Sequence, residues 1–194
     1  KPLVERYFGA LETRPKPQPV VPPAASLEAE KRVEMVDDVS LPKLMLLWHS
    51  PSFMEPGDAD LDLAASILGR GKNSRLYKAL VYDRELASSV DVAQYSGLSS
   101  LFIIDITALP CVALADIEAA VDAELALLRT ELASERELER ARNNVESSFV
   151  RQLQTVQRKA DLLNQYLFYK GTPDWLAEDL QRYRNVTRES IRDV

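Results

Sequence analysis

Two stretches, Ala87 to Tyr95 and Ser100 to Ala108, read as strands on either side of a short segment containing Gly97. A period of two sends successive side chains to opposite faces of a strand. Phe102, Ile104 and Ile106 therefore share one face, and Leu101 and Ile103 take the other. The intervening loop is short enough for a hairpin, which makes the two strands antiparallel neighbours. Two further stretches upstream read as strands. Lys31 to Asp37 alternates, with Val33 and Met35 on one side. Leu44 to His49 is a nearly continuous apolar run, the pattern of a strand covered on both faces. Strands that arrive as adjacent pairs, with most helices following them, predict an α+β domain. The expected architecture is an antiparallel or mixed sheet within residues 31–108, with helices from about residue 112 against one face.

The helical readings follow from periodicity and capping chemistry. Asp58 is placed as N-cap of a helix carrying Leu61, Ala64, Ala65 and Leu68, with Gly69 just past its end. Ser74 is expected to cap a second helix, Arg75 to about Arg84. Leu114, Ile117, Val121, Leu125, Leu128 and Leu132 form one stripe. Ser134 and Glu137 make a capping box. It opens a longer stripe of Leu138, Ala141, Val145, Phe149, Leu153, Val156, Ala160, Leu163 and Leu167, with a break expected near Thr155 to Lys159. Thr172-Pro173 is expected to start another helix, and Thr187 to cap the last.

At the other end, Leu3, Val4, Tyr7 and Phe8 fit a helical stripe that Gly9 would end in a left-handed conformation. A helix already under way at Lys1 suggests a segment of something longer. Pro15, Pro17, Pro19, Pro22 and Pro23 then block helix and central strand alike and favour an extended linker. The division expected is residues 1–14 as the end of a preceding domain, 15–30 as a proline-rich linker, and 31–194 as one α+β domain truncated at its C-terminus.

Composition narrows function by exclusion. With 194 residues the chain can bury a core without disulfides or metal. Cys111 is the single cysteine and His49 the single histidine, so a disulfide framework, a zinc ribbon and any site needing two imidazoles are excluded. A net charge of −6 makes nucleic acid a poor partner. No apolar run approaches the roughly 20 residues of a membrane span. No basic-then-apolar leader opens the chain, and periplasmic and cytoplasmic locations both stay open.

Four features carry groups capable of chemistry. His49, at the end of an apolar strand, reads as a partly buried, hydrogen-bonded residue rather than a general base. Cys111 reads as a small buried thiol rather than a nucleophile. The loop Gly69-Arg70-Gly71-Lys72-Asn73-Ser74 is glycine-rich and basic, and could offer free amides to phosphate, but it lacks the Walker pattern. Glu131, Glu135, Glu137, Glu139 and Glu146 alternate with Arg136, Arg140 and Arg142, as on a solvated helix face with i,i+3 and i,i+4 pairs. None of these makes a nucleophile, a metal cluster or an acid–base pair.

The stretch from Leu68 to Val90, with Gly69, Gly71, Ser74, Arg75 and Leu76 at its head, resembles the pitrilysin/insulinase family of zinc metallopeptidases, to which mitochondrial processing peptidase is related. Tyr7-Phe8-Gly9, the helix from Glu135 to Glu146, Asp161 to Tyr166, Gly171 to Asp174 and Arg182 to Thr187 fit the same family in order. The resemblance implies a two-layer domain of the processing-peptidase type. It implies a zinc site, His-x-x-Glu-His with a further Glu, in a separate catalytic domain of the parent chain. Catalytic and metal residues are therefore expected to be absent from this segment, as is any cofactor of its own. Many relatives carry an Arg and a Tyr, seven apart, that hold substrate near the zinc. By alignment those positions are Val81 and Ser88, so no substrate-binding residue is expected here. The implied partners are the catalytic domain and second half of the same parent chain, together with a peptide substrate. The leading expectation is a structural domain that helps form the substrate chamber of a zinc endopeptidase. The alternatives are an inactive homologue serving in assembly, like the core proteins of respiratory complex III, and an acidic module binding an anion at Gly69 to Ser74.

Overall fold

The computed structural model describes residues 1–194 apart from 13, 16, 19 and 21–25. Pro19, Pro22 and Pro23 of the expected linker lie outside the described residues. Helix α1 (Pro2–Phe8) opens the chain, and Gly9 after it is right-handed at φ −66° rather than left-handed. Leu3, Val4, Tyr7 and Phe8 are all exposed on α1.

The sheet has three strands, β1 (Lys43–Ser50), β2 (Ala87–Tyr95) and β3 (Ser100–Ala108). Their order is β1-β3-β2, and both pairings are antiparallel. The hairpin expected from alternation is present with the same bounds. Phe102, Ile104 and Ile106 point into the core and are buried. A register shift between Ala87 and Ser89 bulges β2 at Ser88.

Two strand expectations are corrected. Residues 31–37 are not a strand, and Val33 and Met35 are exposed. They pair with no strand among the described residues, and Arg32 donates to both carboxylate oxygens of Glu118. The sheet therefore begins at Lys43. The apolar run in β1 is also not covered twice: Met45 is 49% exposed and Leu47 46%. Leu44 and Leu46 pack on the core, while the opposite face is open. A continuous apolar run thus marks two apolar faces, of which this chain covers one.

Helices fill that one side. Helix α2 (Asp58–Gly69) lies against β2 and β3. Next comes α3 (Arg75–Tyr77), which continues as a wider π-helical stretch, Lys78–Asp83, where a regular helix to about Arg84 was expected. Helices α4 (Leu114–Thr130), α5 (Glu135–Gln152), α6 (Val156–Lys170), α7 (Leu176–Asn185) and α8 (Arg188–Asp193) follow. Leu63, Ile67, Leu76, Leu80, Ile104, Ile106, Ile117, Val121 and Leu138 make the main core.

The capping box at Ser134 and Glu137 is formed, and Thr187 pairs with Ser190 in a second one. The expected break separates α5 from α6, with Thr155 capping the new helix. It also rotates the buried face. Leu162 and Tyr166 are buried in α6, whereas Val156, Leu163 and Leu167 of the expected stripe are exposed. Three non-helical residues shift the phase, so a stripe read straight through the break cannot persist. Helix α7 begins at Leu176 rather than at Thr172-Pro173.

Gly69 was expected just past the end of α2, but it is the last residue inside it, with Arg70 as C-cap. Its role is close approach. A Cβ there would lie 2.2 Å from Val92 Cγ2 and 2.9 Å from the Val92 backbone nitrogen. The strand backbone cannot retreat without breaking its ladder to β3. Gly69→Ala should destabilise the fold by about 1–3 kcal/mol through overpacking. Adding Val92→Ala should recover only part, because the backbone contact remains. Urea midpoints of the three chains would check this.

Candidate functional site

The glycine-rich loop is anchored to α5. Ser74 is fully buried, but its Oγ donates to the Gly71 carbonyl at 2.7 Å instead of capping a helix. Gly71 has φ +81°, which a side chain would strain. Leu76 fills the core at 0% exposure. The Arg75 guanidinium donates through Nε and Nη2 to the two Glu137 oxygens, at 2.8 and 3.0 Å. Arg140 donates to the Asn73 carbonyl at 3.1 Å. Glu137 also closes the capping box by accepting from the Ser134 amide. One carboxylate therefore holds both a helix start and a loop 62 positions earlier. The geometry is that of a structural clasp, and the helix behind the loop is only three residues long before it widens.

The forked bond from Arg75 lowers the Glu137 carboxyl to about 2, against opposing burial and with help from Ser134. A depressed acid stabilises the fold above its ordinary pKa and loses that contribution as pH falls through the folded value. Stability should therefore decline between about pH 4.5 and pH 2, and Glu137→Gln should flatten that part of the profile while lowering stability at neutral pH. Thermal midpoints across pH 2–7 would check it.

The solvated-face expectation for α5 is corrected by the same contacts. Glu137 pairs with Arg75, Arg142 donates to the Val186 carbonyl, and Glu146 accepts from Arg184. Its charges make tertiary contacts with the loop and the C-terminal helices. Spacing along one helix gives no view of partners on another.

A second cluster was not found in the sequence. Asp58 was expected as an N-cap, but Gly57 holds that position and Asp58 is the first helical residue. Its carboxylate, 0% exposed, accepts from the Met54 amide at 2.9 Å and from Arg182 Nη1 at 2.7 Å, both on Oδ2. Its Oδ1 accepts from Gln94 Nε2. Arg182 also donates through Nε and Nη2 to Asp179 Oδ1, at 2.9 and 2.8 Å. The Tyr166 hydroxyl donates to Asp179 Oδ2 at 2.8 Å. Burial, reinforced by Asp179, raises the Tyr166 hydroxyl well above the usual phenol range. Removing one partner of a buried charge network leaves uncompensated charge. Arg182→Met should cost about 3–5 kcal/mol, read as a fall in the urea midpoint, since it strands two buried carboxylates at once.

Beside this network, Tyr183 donates to Asp62 Oδ2 at 2.6 Å. Burial pushes the Asp62 carboxyl up to about 6, with the Tyr183 bond opposing and Asp58 adding to the rise. Here the sign is reversed: the ionised form is disfavoured in the fold, so stability is lost as pH rises from about 4 to about 6. Asp62→Asn should remove that loss, at most about 3 kcal/mol, in the same thermal series. Asp62 lines a cleft of about 630 Å³ with Ser66 and Arg70, β2 residues Asp91 to Gln94, and parts of α5, α6 and α7.

The remaining candidates lie apart from one another. His49 is exposed at the end of β1, not partly buried as expected. Cys111 is exposed with φ 65°, again not the buried thiol expected. It sits in the turn before α4, where its side chain meets solvent rather than the core. No group of three or more His, Cys, Asp or Glu side chains placed to hold a metal ion is found among the described residues.

Residues 1–145 match the model of the peptidase M16 inactive domain. The chain belongs to that family. No curated protein sequence matches it. Among solved structures, a protease from Helicobacter pylori is similar at 23% identity and a TM-score of 0.73, over 81% of this chain and 38% of that one. An inactive peptidase domain from Bordetella parapertussis matches at 23% identity and 0.69, over 78% and 82%. The periplasmic protease PqqL from Escherichia coli matches at 18% identity and 0.73, over 99% of this chain and 21% of its own. The chain thus spans well under half of two of these proteins. The family match bears out the pitrilysin/insulinase resemblance, to the domain of that family described as inactive, and the structural matches bear out the α+β fold.

In this M16 inactive domain the family's zinc has no fitting ligand set. The motif needs two histidines, and the one present, His49, lies on an exposed strand end. Val81 is half-buried in the π-helical stretch, and Ser88 stands at the bulge of β2, donating to the Thr107 carbonyl at 3.2 Å. An isopropyl group and an engaged hydroxyl offer no charge to a reacting carbonyl. No helix among the described residues is long and apolar enough to cross a membrane.

Proposed function

We propose that this domain forms part of the substrate chamber of a longer zinc endopeptidase and packs on its catalytic domain, contributing shape and surface rather than catalytic groups. The open face of the sheet carries this reading. Rows run across its three strands: Leu47, Ile103 and Ala93 in one, His49, Leu101 and Tyr95 in the next, and Met45, Asp105 and Asp91 beside them. Met45, Leu47 and Tyr95 are exposed. Such a face is unusual for a domain that stands alone, and it suits a wall against which an extended peptide or a neighbouring domain lies. The exposed Leu3, Val4, Tyr7 and Phe8 of α1 support the same division. Residues 1–14 belong to a preceding domain, 15–30 form the linker, and 31–194 are the non-catalytic domain. Zinc belongs to the catalytic domain of the parent, and Val81 and Ser88 leave the gripping of substrate to other parts of the chain.

Leu47→Asp in the full parent chain tests this. The side chain is already half in solvent, so the fold should persist by circular dichroism. The kcat/KM for an unstructured peptide should fall about tenfold, because a charge now sits on the chamber wall. Unchanged peptide cleavage would remove the chamber role. A parent without activity in either form, but retaining a stable complex with other chains, would favour the assembly subunit.

A further inference from the structure

The cleft between α2, the free edge of β2 and helices α5 to α7 contains polar atoms that the fold leaves without partners. Ser66 is 3% exposed, and its Oγ has no hydrogen-bond partner. An unpaired buried hydroxyl carries a desolvation penalty, so such atoms are rare unless something completes them. Gln94 Oε1 is likewise buried without a partner. Its orientation follows from chemistry: the Gln94 amide nitrogen donates to both Oδ1 and the carbonyl of Asp58. Turning the amide over would set oxygen against oxygen. The free atom is therefore an acceptor. Asp62 completes the set, with Oδ2 engaged by Tyr183 and Oδ1 without a partner among the described residues. All three residues line the same space, about 630 Å³ in volume.

An acceptor-rich site with a half-buried carboxylate, Asp62, calls for a guest that donates several hydrogen bonds and carries positive charge. Arg70 also lines the rim but is exposed to water, where its repulsion is screened. Asp179 faces the cleft too, but both of its oxygens are occupied by Arg182 and Tyr166. We infer that this cleft binds an organic cation, with an ammonium or guanidinium head seated between Asp62, Ser66 and Gln94. Apolar Val145, Phe149 and Leu162 are placed to cover an alkyl stem. The site is separate from the open sheet face and does not depend on the chamber reading.

Titration calorimetry on the chain Lys1–Val194 tests it, with agmatine as a free amine and Nα-acetyl-arginine amide as a peptide-like one. Binding of either supports the site, and their ratio tells a free metabolite from a basic side chain. Nα-acetyl-citrulline amide, equal in shape but uncharged, should bind at least tenfold more weakly. Asp62→Asn should weaken agmatine at least tenfold. Ser66→Ala, which removes only the unpaired hydroxyl and should not unfold the chain, should weaken it about threefold. Amide shifts on adding agmatine should centre on residues 62–66 and 91–94. No heat with either cation, equal binding of the citrulline compound, or shifts confined to other surfaces would overturn the proposal.

Discussion

The arrangement of this domain hangs on one buried guanidinium. Arg182 bridges Asp58 at the start of α2 and Asp179 on its own helix. Asp58 in turn receives the Met54 amide and Gln94 from β2. Four parts of the chain, with Asp58 and Arg182 124 positions apart, are thereby tied to one point. Two carboxylates and a guanidinium withdrawn from water are tolerable only when every lone pair finds a donor. That requirement fixes where α7 sits, how the turn at Met54 runs, and which way the Gln94 amide faces. It also leaves Gln94 with the unpartnered oxygen that opens the neighbouring cleft. The second clasp, Arg75 to Glu137, does the same for the glycine-rich loop and α5.

The second clasp gives the family-like stretch around Ser74-Arg75-Leu76 a physical meaning that involves no catalysis. The serine closes a turn, the arginine grips a helix start and the leucine fills the core. An inactive M16 domain can keep all of this while lacking a metal site, because the demands of packing and the demands of chemistry fall on different residues. Gly69 belongs with the packing set, as the point where α2 and the backbone of β2 meet.

The hairpin and its bounds were legible, since a strand–turn–strand pattern is a local property, but with apolar residues on both sides of β3 the sequence left open which face is buried. The capping box at Ser134 and the cap at Thr187 were legible for the same reason, since donor and acceptor lie three residues apart, though the reciprocal bond from Ser190 was not expected. The break before α6 was expected from helix length. Local pattern failed where the outcome depended on a distant partner. Residues 31–37 alternate like a strand but have no neighbour to pair with. Asp58 looks like a cap, yet Arg182 and Gln94 claim it. The charges of α5 look self-satisfied, yet they reach to Asn73, Arg75, Val186 and Arg184.

By itself the sequence determined the layers of this domain, the family it resembles, and that one histidine cannot build the family's zinc site. Each follows from a count or a spacing that no folding can change. Only the tertiary structure decided which apolar face stays open, which carboxylates are buried, and where unpartnered acceptors gather. Those depend on Arg182 meeting Asp58, and on α2 closing over β2 at Gly69. Such meetings are set by packing in three dimensions, and hydrophobic period or charge spacing along the chain carries no record of them.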